Sequence, residues 1–432
     1  MPDARSTALK VLNKVERDGA YSNIELSSAL SQSGLDGRDS AFCSALVRGV
    51  LERRVTLDYI ISRHSSVKIK KIAPVVLDIL RMGVYQIFFM DKVPENAAVF
   101  ESVELAKKYA KRSSGFINGV LRGIIRDESA FALPDGNGIE PLCVRYSISP
   151  SLARLLSSAY GDDAEKFLEA SFGKPPLDIR VNTLKTSADE LAASFADSGV
   201  KAIRSDDLRD MLILETSGAP DTLPGFAEGL FHVQDKASQL CCLALSPKPG
   251  ERVLDICAAP GGKSFTLAEM MNGEGRIVSC DIHSHRTALI RSGAKRLGIN
   301  CIQATVNDAT VGNPQLGEFD KVLCDVPCSG FGVIRRKPEI RYKNADELSD
   351  LYLLQRIILK KTSERVRKGG ILVYSTCTLN PAENQDAVNG FLSENKDFEL
   401  VPLFGEGECM KTFFTHIDGT DGFFAAKLMR KE

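Results

Sequence analysis

The sequence lacks any uninterrupted apolar run of the ~18 residues that a membrane-spanning helix needs. Its first ten residues, MPDARSTALK, hold one acid, two bases and no apolar core, so we expect no signal peptide. A hydrophobic fraction of 44% with 26% charged residues excludes a disordered or low-complexity chain. We therefore expect a soluble, cytoplasmic protein with no membrane partner.

Cysteine and histidine are also sparse. Eleven cysteines in 432 residues are too few for a disulfide scaffold, and no CxxC pair occurs among them. Five histidines without an HxxxH spacing argue against a structural zinc site, so we expect no metal. Most of the thiols are expected to be small buried hydrophobes in a reducing compartment. Cys328 and Cys377 are the two candidates for a different role.

Charge of one sign does not dominate the chain either. The 55 basic and 56 acidic residues give a net charge of −1, which offers no argument for a polyanionic partner. Residues 1–127 nevertheless hold 20 basic and 14 acidic residues. Such a basic amino-terminal third fits a surface that docks nucleic acid, and it fits an ordinary solvated helical surface almost as well.

The length and the turn-forming residues indicate three domains. The chain is about three times the ~150 residues of a typical domain. We predict an all-helical domain over residues 1–133, where apolar residues recur at intervals of three and four. After a stretch rich in proline and glycine, a small α+β linking module is predicted over residues 139–235. In it, Ser149 and Pro150 have the form of a helix start, and Gly161 that of its end.

From residue 236 to residue 432 short β-rich runs alternate with helical stretches. This alternation predicts βαβ units and a mostly parallel, doubly wound α/β sheet. In such sheets ligands bind beyond the carboxyl ends of the strands. The predicted strands are Val253–Ile256, Ile277–Cys280, Cys301–Val306, Lys321–Cys324 and Ile371–Tyr374.

A glycine turn after the first of these strands predicts a cofactor site. The turn, Ala-Ala-Pro-Gly-Gly-Lys over residues 258–263, matches neither GxGxxG nor the P-loop, which disfavours NAD and ATP. Asp281 ends the next strand, where a carboxylate can accept hydrogen bonds from ribose hydroxyls, and Asp308 follows the third. Together they favour a nucleoside-bearing cofactor. The alternative is that the glycines close a turn and the acids cap helices.

Cys328 and Cys377 follow the fourth and fifth strands, so they are expected to lie close together at the same edge as Asp325. The alternative interpretation is that Cys328 and Cys377 are two buried structural thiols. A thiolate that adds to carbon 6 of a pyrimidine makes carbon 5 nucleophilic enough to attack an electrophilic methyl group. A base buried in a stack must first leave it to reach such a pocket.

Three segments resemble the motifs of the RNA (cytosine-5)-methyltransferases. They are DICAAPGGK, DVPCSGFGVIRRKPEIRY and YSTCTLNPAEN, at residues 255–263, 325–342 and 374–384. The amino-terminal region is similar to a NusB-like helical RNA-binding domain, and residues 180–185 and 231–240 resemble the linking RNA-binding module of one branch. The whole chain therefore resembles the bacterial 16S ribosomal RNA (cytosine-5)-methyltransferases of the Sun/RsmB type, with a Rossmann-like catalytic domain.

The resemblance implies a reaction and a set of residues. The reaction is transfer of a methyl group from S-adenosyl-L-methionine to carbon 5 of a cytosine in 16S ribosomal RNA. Cys377 would be the nucleophile, and Cys328 would assist release of the methylated base. Asp325 would contact both the cofactor and the cytosine. The implied cofactor-binding positions are Cys257, Ala258, Ala259, Pro260, Gly261, Gly262, Lys263, Asp281, Asp308 and Asp325.

Two other functions stay open on the sequence. One is the same chemistry on transfer RNA, and the other is a non-catalytic RNA-binding or antitermination factor, suggested by the NusB-like region. A monomer is expected. The basic residues Arg335, Arg336, Lys337, Arg341 and Lys343 are interpreted as contacts to RNA phosphates, with a solvated charged loop as the alternative.

Overall fold

The computed structural model describes residues 3–18, 22–136, 138–216 and 219–432. The chain forms two units. The first comprises Met1–Gly173 together with Ile334–Asp346, and the second comprises Lys174–Val333 together with Glu347–Glu432. The predicted boundaries at 133, 139 and 236 stay predictions, because these units divide the chain by packing and not by domain family. No helix of the described residues is long and apolar enough to cross a membrane.

The first unit is helical, which confirms the prediction for its amino-terminal part. Apolar faces of the first seven helices pack into one core, in which Leu46, Ile60, Leu80 and Leu121 are fully buried. Ser149 caps one of the later helices by accepting a hydrogen bond from the Leu152 amide, as predicted. The helices are α1 Ala4–Asp18, α2 Ser22–Ser33, α3 Gly37–Glu52, α4 Arg54–His64, α5 Pro74–Phe89, α6 Glu95–Tyr109, α7 Ser114–Arg126, α8 Ile139–Tyr146, α9 Pro150–Tyr160 and α10 Asp162–Ala170.

The returning segment Ile334–Asp346 of the first unit corrects one expectation from the sequence. Arg341 is 0% exposed, so it cannot contact RNA phosphates. Its guanidinium donates hydrogen bonds to the Tyr146 carbonyl at 3.0 Å and to the carbonyl and hydroxyl oxygens of Ser171 at 2.8 and 2.7 Å. It also lies 4.5 Å from the centre of the Phe172 ring. Arg341 therefore ties this segment into the helical unit.

A small antiparallel sheet begins the second unit, as predicted for the linking module. Its strand order is β2-β3-β1-β4, and one helix, α11, packs on it with a capping box of Ser187 and Glu190. The edge strand β2 was not predicted, because it is largely exposed and shows no buried alternation. The elements are β1 Leu177–Val181, α11 Ala188–Asp197, β2 Lys201–Arg204, β3 Met211–Glu215 and β4 Phe231–Val233.

The larger sheet of the second unit confirms the predicted mostly parallel sheet. Its strands follow the order β10-β12-β9-β8-β5-β6-β7, and β11 pairs with β12. The five strands from β7 to β9 in this order are parallel, whereas β10, β11 and β12 form antiparallel pairs that were not predicted. The strands are β5 Arg252–Asp255, β6 Arg276–Asp281, β7 Ile302–Val306, β8 Phe319–Asp325, β9 Val366–Thr376, β10 Phe398–Leu400, β11 Met410–Phe413 and β12 Phe423–Arg430.

Helices cover both faces of this sheet, which is why its central strands read as near-continuous apolar runs. Successive residues of β5 point to opposite faces, so Val253 and Leu254 belong to two different apolar clusters. Helices α12, α13 and α14 contribute to the first cluster, and α15 and α16 to the second. The helices are α12 Lys236–Leu245, α13 Gly262–Met270, α14 Ser284–Leu297, α15 Ser349–Ser363, α16 Gln385–Glu394 and the short α17 Thr415–Asp418.

Replacing Arg341 should destabilise the first unit. Burial lowers the pKa of Arg341 to about 10, so the side chain still carries its charge at neutral pH. Arg341→Ala leaves buried carbonyl acceptors without a donor, and we expect a loss of about 3 kcal/mol in the free energy of unfolding of this unit. Urea denaturation followed by circular dichroism measures it.

The matched control is Arg154→Ala. Arg154 forms an ion pair with Asp346 in which both side chains are more than half exposed. Its removal should change stability by less than about 0.5 kcal/mol. Equal effects of the two substitutions would contradict the structural role of Arg341.

Candidate active site

The carboxyl ends of β5 and β8 and the turn into α13 surround a cavity of about 230 Å³. Because parallel strands end at one edge of a sheet, residues distant in sequence meet there. The predicted cofactor-binding residues that line this cavity are Cys257, Ala258, Ala259, Pro260, Gly262, Lys263 and Asp325. The structure thus brings most of the predicted set together.

Gly261 does not line the cavity but shapes its turn. Its φ of +114° lies in the region that favours glycine, and a Cβ there would be 2.5 Å from the Phe265 ring. A side chain at this position would push the start of α13 away from the cavity.

Five residues that line the cavity were missed by the sequence analysis, and two of them, Asp255 and Gln234, are buried. Asp255 is 1% exposed and Gln234 5% exposed. One oxygen of Asp255, Oδ2, accepts a hydrogen bond from Ser264 at 2.7 Å. Asp255 Oδ1 and Gln234 Nε2 have no hydrogen-bond partner among the described residues. Asp255 opens the DICAAPGGK motif, so its place at the end of β5 was a signal that could have identified it.

The two unpartnered atoms test whether the cavity suits a ligand. Both are buried, and leaving a buried polar atom unpaired costs about 1–3 kcal/mol. One is an acceptor and the other a donor, so a bound molecule with both kinds of group would satisfy them. A nucleoside linked to an amino acid has such groups, and the cavity therefore fits the expected cofactor.

Lys263 and Asp325 form an ion pair at the edge of the cavity. Lys263 Nζ lies 2.8 Å from Asp325 Oδ2, and the Ser375 hydroxyl donates to Asp325 Oδ1 at 2.7 Å. Burial lowers the pKa of Lys263, but the charge of the neighbouring Asp325 carboxylate and the hydrogen bond to it act in the opposite direction, and the pKa lies above the ordinary value. Lys263 therefore stays charged, and Asp325 is held from both sides.

Asp281 and Asp308 are not among the residues that line the described cavity. Asp281 is buried and pairs with Arg286 at 3.0 Å. Asp308 accepts hydrogen bonds from the hydroxyl and the amide of Thr310, and these bonds lower its pKa. Both lie at the ends of β6 and β7, and their cofactor-binding role stays a prediction.

Cys328 and Cys377 lie side by side. They follow β8 and β9, which are adjacent and parallel, and their Sγ atoms are 3.0 Å apart. The hydrogen bond with Cys377 and, next, burial raise the pKa of Cys328 well above its usual value. Cys328 therefore keeps its proton at neutral pH and lies within hydrogen-bond distance of the Cys377 sulfur.

Gly332 allows the loop after Cys328 to approach the Cys377 loop. Its amide donates to the Cys377 carbonyl at 3.0 Å. A Cβ at this position would be 1.8 Å from the Gly422 carbonyl oxygen. Only glycine fits there, which keeps the two thiol-bearing loops in register.

Comparison with known proteins agrees with this geometry. A family profile described as 16S rRNA methyltransferase RsmB/F matches residues 242–429, and a NusB family profile matches residues 2–126. A profile described as an RsmF/B-like ferredoxin-like domain matches residues 151–219. A Bacillus subtilis (strain 168) protein named probable ribosomal RNA small subunit methyltransferase B is 37% identical, with 99% of this chain and 98% of the relative covered.

The chain belongs to the RsmB/F family of 16S rRNA methyltransferases. Solved structures support the family's fold over the whole chain. The structure of PH0851 has a TM-score of 0.81 and 27% identity, covering 98% of this chain and 99% of that one. A methyltransferase homologue from Pyrococcus horikoshii has a TM-score of 0.60 and 31% identity, covering 68% of this chain and 99% of that one. The resemblance to this family, its fold class and the identification as an enzyme are confirmed.

In this RsmB/F protein, the buried Asp255 should make the free energy of unfolding depend on pH. Burial raises its pKa to about 7, above the ~3.9 of an unfolded aspartate. The folded state thus binds the proton more tightly, and this contribution to stability is lost as pH rises from about 4 through about 7. Asp255→Asn removes the titrating group, so its stability relative to wild type should increase as pH rises.

Urea denaturation at about pH 5 and about pH 8 measures this change. The control is Asp386→Asn, since Asp386 is exposed on α16. A difference between Asp255→Asn and wild type that is the same at both pH values would show that Asp255 does not titrate in this range.

Proposed function

We propose that the protein transfers a methyl group from S-adenosyl-L-methionine to carbon 5 of a cytosine in 16S ribosomal RNA, through a covalent adduct with Cys377. The observation that carries this proposal is the pair of thiols 3.0 Å apart at the ends of two adjacent parallel strands. Asp325, which ends the strand before Cys328, lines the neighbouring cavity. A nucleophile beside a cofactor cavity is the arrangement that this reaction needs.

Residues of the cavity supply the binding groups for the proposed cofactor. S-adenosyl-L-methionine, when bound, supplies an electrophilic methyl group. In the turn from Cys257 to Lys263 a ligand can approach the backbone closely, and the backbone amides at the start of α13 can face it. Asp255 Oδ1 accepts and Gln234 Nε2 donates, and both need a partner. Asp281 and Asp308 would complete the set at the ends of the neighbouring strands.

The proposed chemistry requires one bond to cysteine that forms and later breaks. Cys377 as a thiolate would add to carbon 6 of the cytosine and so make carbon 5 nucleophilic toward the methyl group that S-adenosyl-L-methionine would supply, with S-adenosyl-L-homocysteine as the leaving group. A base removes the carbon 5 proton, and the bond between sulfur and carbon 6 breaks to release the methylated base. Lys263 and Ser375 hold Asp325 at the edge of the cavity, where it is proposed to contact the cytosine ring.

The contact between the two thiols supports the proposed chemistry. Because the pKa of Cys328 is raised well above its usual value, Cys328 can donate a hydrogen bond to the sulfur of Cys377. The contact therefore supports a nucleophilic thiol with a hydrogen-bonding thiol beside it. The assignment of Cys377 as the nucleophile and of Cys328 as the residue that assists release of the methylated base rests on the family resemblance.

The substrate part of the proposal rests on the named relatives. Proteins named ribosomal RNA small subunit methyltransferase B, such as that of Escherichia fergusonii at 34% identity, span 99% of this chain. The test is transfer of labelled methyl groups to unmodified small-subunit ribosomal RNA, with large-subunit ribosomal RNA and transfer RNA in parallel. Label recovered as 5-methylcytidine in the small-subunit RNA alone is the expected result. Label in transfer RNA alone would overturn the substrate, and label in another nucleoside would overturn the chemistry.

Cys377→Ala should reduce turnover by more than about a thousandfold, as removal of a catalytic nucleophile does. Binding of S-adenosyl-L-methionine, measured by calorimetry, should be unchanged. Cys409→Ala is the control, since Cys409 lies outside the thiol pair. Methylation by the Cys377 variant at a rate near that of wild type would disprove the nucleophile.

Cys328→Ala should instead trap the intermediate. Attack by Cys377 remains possible, whereas release of the methylated base is slowed. We expect an RNA–protein adduct that survives denaturing electrophoresis and is absent in the double variant with Cys377→Ala. If active preparations of the Cys328→Ala variant form no adduct, Cys328 does not assist release of the methylated base.

A further inference from the structure

Glu383 is a buried carboxylate behind the two thiol-bearing loops. It ends a short 3₁₀ turn, Pro381–Glu383, and is 0% exposed. Its Oε2 accepts hydrogen bonds from the Ser329 amide at 2.8 Å and from Gln355 Nε2 at 2.9 Å. Its Oε1 accepts from the Ser329 hydroxyl at 2.6 Å and from Asn380 Nδ2 at 3.0 Å. The Thr378 hydroxyl adds a longer hydrogen bond to Oε1 at 3.5 Å, and all five donors are neutral groups.

These hydrogen bonds fix both peptide groups of Cys328. The Ser329 amide belongs to the peptide bond that follows Cys328, and Glu383 accepts from it directly. The Pro327 carbonyl belongs to the peptide bond that precedes Cys328, and it accepts from the same Gln355 amide nitrogen at 2.8 Å. Glu383 and Gln355 therefore hold the backbone on either side of Cys328 without touching its sulfur.

The neighbouring residue, Asn384, holds the two residues that flank Cys377. Its Oδ1 accepts from the Thr376 hydroxyl at 2.5 Å, and its Nδ2 donates to the Thr378 carbonyl at 2.9 Å. The two loops are also joined directly, since the hydroxyls of Ser329 and Thr378 lie 2.7 Å apart. Residues 383 and 384 thus anchor the chain on both sides of both thiols.

A carboxylate is the side chain that this arrangement requires. Five donors converge on its two oxygens, and a carboxylate accepts without donating. A glutamine in the same place would turn its NH₂ group toward two of these donors and leave them unpaired. Burying an unpaired charge costs several kcal/mol, so the convergent donors are what makes the buried Glu383 tolerable.

We propose that Glu383 is a positioning residue for the proposed methyl transfer, which sets the distance between Cys328 and Cys377. The inference rests on the proposed function for its kinetic consequence, while the thiol geometry it concerns is independent of that function. Glu383 acts through Ser329 and Gln355 and does not contact substrate or cofactor in this role.

The first test is Glu383→Gln, compared with Glu394→Gln at an exposed position of α16. Displacement of a reacting group by about 1 Å can cost about a hundredfold in rate. We expect kcat to fall by about that factor while the Kd of S-adenosyl-L-methionine stays unchanged. A loss of structure would instead weaken cofactor binding and lower Tm together with kcat. Glu394→Gln should match wild type in all three.

The second test measures how fast a reagent bridges the two thiols, and it requires no methyl transfer. Dibromobimane becomes fluorescent when it alkylates two neighbouring thiols, and Cys328→Ser gives the background from other cysteines. We expect Glu383→Gln to slow the bridging of Cys328 and Cys377 roughly tenfold. Because this readout needs no RNA and no cofactor, it decides the proposal even if wild type methylates no RNA.

A milder variant covers the case in which Glu383→Gln does not fold. Ser329→Ala removes the 2.6 Å hydrogen bond to Glu383 and keeps the amide one. Ser329→Ala should lower kcat and the bridging rate, but by less than Glu383→Gln does. The double variant should have a kcat and a bridging rate no lower than those of Glu383→Gln alone. Wild-type bridging rates in a folded Glu383→Gln protein, or in Ser329→Ala where the former does not fold, would overturn the proposal.

Discussion

The parallel pairing of β8 and β9 is the constraint on which the site depends. Residues 325 and 375 are direct neighbours in this register, so the loops that follow them leave the sheet at the same edge. This single alignment brings together Cys328 and Cys377, which are 49 positions apart in sequence. It also places the Ser375 hydroxyl against Asp325. The proximity of the two thiols is thus a consequence of strand register.

Charge is handled differently on the two sides of this edge. At the cavity, Lys263 neutralises Asp325 in a partly exposed ion pair. Behind the thiols, Glu383 has neutral hydrogen-bond donors as its partners. A lysine or arginine so close to the thiols would favour the thiolate of both cysteines, whereas amides and hydroxyls position the loops with much less effect on the thiol charge. The arrangement thus positions the thiol-bearing loops through neutral hydrogen-bond donors.

Much of the fold could be predicted from the sequence because its signals are local. The parallel strands are short apolar runs followed by glycine or acidic residues, and the thiols follow two of them. Features that depend on distant partners could not be predicted. Arg341 looked like part of a basic loop, yet its partners Tyr146 and Ser171 lie about 170 to 195 positions away. Glu383 carries no local mark of burial, since its donors come from three separate stretches of the chain.

The position of Arg341 explains why the Cys328 loop needs an anchor of its own. The chain that carries Cys328 leaves the second unit after Val333 and enters the first at Ile334, where Arg341 fixes it. That segment begins only a few residues after the Cys328 loop. The hydrogen bonds from Gln355 to the Pro327 carbonyl and from the Ser329 amide to Glu383 lie on the other side, within the second unit. They hold Cys328 against the sheet independently of the segment Ile334–Asp346, because both peptide groups of Cys328 are fixed before the chain enters the first unit.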